Sequence, residues 1–379
     1  MRVPQTDPGA GYRKRREAVL RAVAEVLDGG WYVIGECVRA FEEAFASWLG
    51  GGRAVGVASG TDALTLALRA AGIGPGDKVA VPALTAVATV AAVRLAGGTP
   101  VVVDVDDETL CLCPSALEEV LGRVRGVRAV VPVHLHGGMA DMPQILDVAR
   151  RHGAEVVEDC AQAHGAAREG RPAGRWGRFG CFSFYPTKNL GALGDGGMIV
   201  CRDEKDAARV KRLRQYGWDG DRISREEGWN SRLDELQAAV LLVRLAGLDE
   251  DNRKRRRIAD LYRERLKATP GVRLPVEPEG VCHVYHQFAV RCLNRDHVRQ
   301  RLAEAGVGTA VHYPRAVHQE PGYAAACEVP LAPAQAERAA GELLSLPMYP
   351  ELSDEAALRA ADCLVRAVAE EGGDGRGGR

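Results

Sequence analysis

Between residues 54 and 201 short apolar runs alternate with helical patterns, and this alternation restricts the fold more than any other feature of the chain. Strands are read at 54–58, 78–81, 100–105, 129–133, 155–158, 179–184 and 197–201. Helices are read between them at 59–71, 85–96, 114–121 and 142–152. Such spacing gives an α/β fold, a largely parallel sheet covered on both faces. Ligands in these sheets bind beyond the carboxyl ends of the strands. Polar residues gather there: Ser59, Gly60, Thr61 and Asp62 after one strand, Asp159 to Gln162 after another, Ser183 to Lys188 after a third.

The flanks differ. Helices at 13–27 and 38–49 precede the alternation, and long helices at 232–248 and 252–267 follow it. From about residue 275 strands at 286–291 and 309–312 mix with helices at 296–306, 333–344 and 354–371. A chain of 379 residues exceeds one ordinary core. We read a large domain over 1–248, a smaller C-terminal α+β domain over 249–371, and a glycine-rich tail, 372–379, expected to be disordered. The run RKRRR at 253–257 is taken as a solvated helix face.

A net charge of −1 argues against a dedicated nucleic-acid or membrane-surface binder. No run of ~18 apolar residues occurs, so no membrane span is expected. The opening stretch MRVPQTDPGAGYRKRRE lacks an apolar secretory core, so no leader is expected. Ten scattered cysteines without a CxxC pair suggest a reduced, cytoplasmic chain. The nine histidines complete no ligand pattern with them, so no metal is expected.

Within FSFYPTKNLGALGDGGMIV the single lysine, Lys188, stands where a strand breaks into a loop. Neither a GxxxxGK nor a GxGxxG pattern accounts for it. Imine chemistry does, and pyridoxal 5′-phosphate in addition needs a carboxylate for its ring nitrogen, groups for its phosphate and ring oxygen, and cover for its ring face. Asp159 ends the strand EVVE and suits the nitrogen; it equally suits the cap of a turn. Gln162 could reach the ring oxygen or be a turn residue. Ser59 to Asp62 could hold phosphate at a helix N-terminus or only cap that helix. Ser183 could add a hydroxyl or be a small polar residue in a buried strand, and Asn230 reads by default as a helix cap.

Together these segments resemble the DegT/DnrJ/EryC1/StrS family of sugar aminotransferases. GWYVIG (30–35), ASGTDALTLALRAAGIGPGDKVAVPALTAVAT (58–89), EDCAQAHGA (158–166), FSFYPTKNLGALGDGG (182–197), NSRLDELQAA (230–239), VYHQFAVR (284–291), VHYPRAVHQEPGY (311–323) and LPMYPEL (346–352) carry the likeness over nearly the whole chain. The resemblance implies an aspartate-aminotransferase-like fold with a sheet of the seven-stranded type and a homodimer sharing its active sites. It makes Lys188 the Schiff-base lysine, Asp159 the partner of the pyridine nitrogen and Gln162 the contact to the ring oxygen. Gly60, Thr61, Asp62 and Ser183 would hold the phosphate, and Asn230 would reach the other subunit's cofactor.

The activity implied is transfer of an amino group from L-glutamate to a nucleotide-linked keto-deoxysugar. The loop KNLGALGDGG is similar to the branch acting at C3 of a dTDP-3-keto-6-deoxyhexose. A C4 keto-sugar, an aminocyclitol ketone and a non-catalytic cofactor-binding regulator stay open. His312, Tyr313 and His318 are candidates for the sugar site or ordinary residues of the small domain. In one respect the chain departs from its relatives: many place an aromatic or histidine where this chain has Ala86.

Overall fold

The computed structural model describes residues 2–374. Three helices come first: α1 (Pro8–Lys14), α2 (Arg16–Gly29) and α3 (Glu36–Trp48). The helix read over 13–27 is therefore two, broken at Arg15. Gly30 stops α2 with φ at 66°, a left-handed turn that glycine adopts without strain.

The alternating region follows: β1 (Arg53–Val57), α4 (Gly60–Ala70), β2 (Lys78–Pro82), α5 (Val87–Leu95), β3 (Thr99–Val103), α6 (Pro114–Arg123), β4 (Val127–Val130), α7 (Met142–Arg151) and β5 (Glu155–Asp159). The short β6 (Ala167–Arg168) and β7 (Arg171–Pro172) lead to β8 (Phe179–Ser183) and β9 (Gly197–Cys201). Seven strands form one sheet in the order β1-β9-β8-β5-β4-β2-β3. Only β9 runs against its neighbours, β1 and β8; the other pairings are parallel. Every residue of β8 and β9 is buried, as strands covered on both faces must be.

The chain continues through α8 (Glu204–Leu213), α9 (Glu235–Leu245), α10 (Leu248–Leu266), β10 (Val272–Arg273), β11 (Val281–Cys282), β12 (Phe288–Cys292), α11 (Arg295–Glu304), α12 (Ala334–Glu342), β13 (Leu343–Leu346) and α13 (Asp354–Asp374). Strands β10, β12 and β13 make a small antiparallel sheet. A first apolar core surrounds the large sheet and also takes in Val284, Ala316 and Leu343. A second joins α10, α11 and α13 to β12 and β13, with Val3 of the N-terminal segment among them.

Several elements depart from the sequence reading. No strand forms at 309–312; Ala310 makes a single bridge to Ser345. The helix read over 333–344 stops at Glu342, and Leu343 and Leu344 open β13. The helix read from 232 starts at Glu235, so Asn230 is no cap; it bridges Gln215 instead. The RKRRR run is not a solvated face throughout. Arg255 is buried and donates to the carbonyls of Tyr285 and Met348, tying α10 to the small sheet's surroundings. The tail read from 372 begins inside α13, and residues 375–379 lie outside the described residues. No helix among the described residues is long and apolar enough to cross a membrane.

Candidate active site

Gly60, Thr61, Asp159, Gln162, Ser183 and Lys188 line one cleft of about 240 Å³ beyond the carboxyl ends of the strands. At one end stands the N-terminus of α4. Ser59 is its N-cap, and the Ser59 Oγ accepts from the Asp62 amide at 3.1 Å. The amides of Gly60 and Thr61 open the helix, where no earlier turn supplies a carbonyl. They make an anion-binding end. A Cβ on Gly60 would lie 2.6 Å from the Ser183 Cβ, so only glycine lets α4 approach Ser183 this closely. Asp62 departs from its expected part. Its amide already serves Ser59, and its carboxylate accepts from the Ser231 hydroxyl at 2.7 Å.

Asp159 ends β5 and is 4 % exposed. Its Oδ1 accepts from the Ala161 amide at 3.1 Å and its Oδ2 from the Thr89 hydroxyl at 2.9 Å. Thr89 in turn lies 2.9 Å from the Thr85 hydroxyl. Burial pushes the Asp159 carboxyl up from its usual range, against the Ala161 amide, the Thr89 hydroxyl and the nearby Lys188. Behind it Glu158 accepts four bonds, from the amides of Gly174, Trp176 and Gly177 and from His134 Nε2. His134, Glu158 and Cys160 bring possible metal ligands together, but four N–H donors already occupy the Glu158 carboxylate.

Lys188 Nζ has no hydrogen bond or ion pair among the described residues. Burial pulls its pKa down to about 8, against the attraction of Asp159. Three histidines near it, His164, His286 and His312, are held neutral chiefly by burial, with Lys188 adding to the effect. Gln162 is fixed at both ends of its amide: Oε1 accepts from the His136 amide at 2.6 Å, and Nε2 donates to the Tyr313 hydroxyl at 3.0 Å. His136 Nε2 bonds the His312 carbonyl at 2.9 Å, so the Gln162 cluster includes both residues of the His312–Tyr313 pair. His318 stands elsewhere, paired with Glu337. Asn230 is exposed and does not line the cleft.

Sequence reasoning missed Thr85, Thr89, Tyr185 and Asp195. Thr85, Tyr185 and Asp195 line the cleft, and Thr89 touches Asp159 from behind. The position of PALTAVAT directly after β2, at a carboxyl end, was the available signal for the threonines. Ala86 lines the cleft beside Thr85 and offers only a methyl.

The groups present fit pyridoxal 5′-phosphate: an anion-binding helix end narrowed by Gly60 against Ser183, a buried carboxylate, and in the same cleft a lysine with a lowered pKa and no partner among the described residues. Comparison with known proteins agrees. The chain is 44% identical, over 97% of each sequence, to a dTDP-3-amino-3,4,6-trideoxy-alpha-D-glucose transaminase of Streptomyces venezuelae. It is 42% identical to a UDP-N-acetyl-3-dehydro-alpha-D-glucosamine 3-aminotransferase of Acidithiobacillus ferrooxidans, over 97% of this chain and 98% of that one. The crystal structure of S. venezuelae DesV in complex with a ketimine intermediate superposes with a TM-score of 0.93 at 44% identity, covering 96% of this chain and 98% of that one. The model of one family of pyridoxal-phosphate enzymes matches residues 13–365, and on this match the chain belongs to the DegT/DnrJ/EryC1/StrS aminotransferase family.

Proposed function

We propose that the chain moves the amino group of L-glutamate to C3 of a nucleotide-linked keto-deoxysugar, a dTDP-3-keto-6-deoxyhexose being the leading acceptor. The observation that carries this is the shared cleft of Lys188 and Asp159 below the α4 N-terminus. Two relatives whose names place the amino group at C3 support the carbon chosen.

When bound, pyridoxal phosphate supplies a carbonyl that takes the amino group and a ring that accepts the electron pair released when the donor's α-carbon loses its proton. The chain supplies the rest. The Lys188 amine, neutral in a large share of molecules near pH about 8, would take that proton and pass it to the cofactor carbon that receives the nitrogen. Asp159 keeps a proton on the ring nitrogen. Gly60, Thr61 and Ser183 hold the phosphate, and Gln162, locked between His136 and Tyr313, orients the ring oxygen.

The same reading takes the chain as a homodimer. Trp31, Tyr32 and Val33 are 66%, 50% and 39% exposed, a contiguous apolar stretch that suits a partner surface. Asn230, exposed and away from its own cleft, is then free to serve the cofactor of the other subunit. The division into units over 1–248 and 249–371 is supported by the second core, which draws all its buried residues except Val3 from Ile258 onward. Ten cysteines without a disulfide support a cytoplasmic setting.

The test offers the cofactor-loaded protein L-glutamate with three acceptors: the 3-keto sugar nucleotide, its 4-keto isomer and an aminocyclitol ketone. Amination at C3, read by NMR of the product, is expected. Amination only of the isomer or the cyclitol would overturn the acceptor assignment.

A further inference from the structure

Thr89, in the first turn of α5, is wholly buried, and Thr85, just before that helix, is 2 % exposed. A hydroxyl there is costly unless it is hydrogen-bonded, and valine would fill the same volume without that cost. The two hydroxyls form a chain that ends on a carboxylate. Thr89 Oγ1 lies 2.9 Å from Asp159 Oδ2 and 2.9 Å from Thr85 Oγ1. An ionised carboxylate can only accept, and a hydroxyl has one proton. Thr89 therefore donates to Asp159, and Thr85 donates to Thr89. The direction of the whole chain follows from the charge at its end, and each bond polarises the next.

We propose that Thr89, backed by Thr85, is a positioning residue of the transamination site. Its hydroxyl holds the Asp159 carboxylate ionised and turned toward the ring nitrogen of the cofactor. The proposal rests on the functional reading above. Asp159 Oδ1 is fixed by the Ala161 amide and Oδ2 by Thr89, so the carboxylate plane is set by one donor from the turn after β5 and one from α5. Its remaining lone pairs are left for the cleft that Asp159 lines. Without Thr89 one of the two direct hydrogen-bond donors that oppose the burial penalty is gone. The other titratable groups facing Asp159 are Lys188, His134, Tyr313, Cys160 and Cys181. All of them stay in place in the variants below.

The experiment measures the dissociation constant of pyridoxal phosphate against pH for the parent, Thr89→Val, Thr89→Ser and Thr85→Val. As pH falls, affinity should weaken when Asp159 takes up a proton. Loss of the Thr89 donor makes that happen earlier, so in Thr89→Val this acidic limb should move up by about one pH unit, with affinity about tenfold weaker on the limb. Thr89→Ser should restore the parent curve, and Thr85→Val should move the limb in the same direction by less. A limb unmoved in Thr89→Val, or moved equally in Thr89→Ser, would overturn the proposal. A purely packing role would weaken binding at every pH without moving the limb, and that result also overturns it. Should Thr89→Val not fold, an unmoved limb in Thr85→Val decides against the relay. A parent protein that takes up no pyridoxal phosphate would instead sink the functional reading itself.

Discussion

In the proposed reaction Lys188 would serve as a base because burial strips it of water and it has no partner among the described residues. With its pKa at about 8, the neutral amine grows from about a tenth of molecules near pH 7 to about nine-tenths near pH 9. Capture of pyridoxal phosphate by the cofactor-free chain should follow this curve, with its rate half-maximal near pH 8. A rate still climbing steeply above pH about 10 would show an ordinary lysine. Lys188→Ala should retain cofactor binding but lose turnover by at least about 10²–10⁴-fold. Asp159→Asn keeps the shape of the side chain and removes its charge; a loss on the order of 100-fold in kcat is expected. Lys188 drew attention in the sequence as the single lysine where a strand breaks into a loop, whereas Asp159 read equally as a turn cap and took its expected role from the family resemblance. Thr85 and Thr89 were not legible, since a threonine in an apolar helical pattern reads as packing until its partner 70 residues away is seen.

At the scale of elements, two helix N-termini stand out, one at the cleft and one away from it. That of α4 is narrowed by the contact of Gly60 with Ser183. Gly60→Ala should cost about 1–3 kcal/mol by overpacking and weaken cofactor binding more than a surface change would. That of α3 is capped from a distance. Glu235, buried in the first turn of α9, accepts the amides of Gly35 and Val38 through Oε1 and of Cys37 through Oε2. It fixes the loop that carries Trp31 to Val33. Glu235→Ala leaves three amides without this acceptor, and urea unfolding should show a loss of roughly 3 kcal/mol. A loss below about 0.5 kcal/mol would mean that water replaces the carboxylate freely. The alternating helices and strands were legible from their two periods. Strand β13 was not: Ala336, Ala339, Ala340, Leu343 and Leu344 keep helical spacing, and only pairing with β12 turns the last two into strand. The break at Arg15 was missed for a similar reason, because nothing in the local pattern marks it.

For the whole molecule, the placement of Val3 in the second core and of Val284 and Leu343 in the first cuts across the order of segments in the chain. Packing joins residues far apart in the chain, and a linear reading assigns them to their neighbours. The proposed role of Asn230 has the same character, since it needs a second copy of the chain. Light scattering should show a dimer, and Asn230→Ala should weaken cofactor binding while leaving the dimer intact; a monomer with full activity would remove the shared-site reading. The most direct test of the central claim, that this cleft carries out transamination, is a single turnover with the cofactor-loaded protein and L-glutamate alone. Quantifying the products by chromatography should give 2-oxoglutarate and pyridoxamine phosphate in equal amounts, equimolar with the bound cofactor, in the parent but not in Lys188→Ala. No 2-oxoglutarate from the parent, or the same yield from Lys188→Ala, would contradict the account.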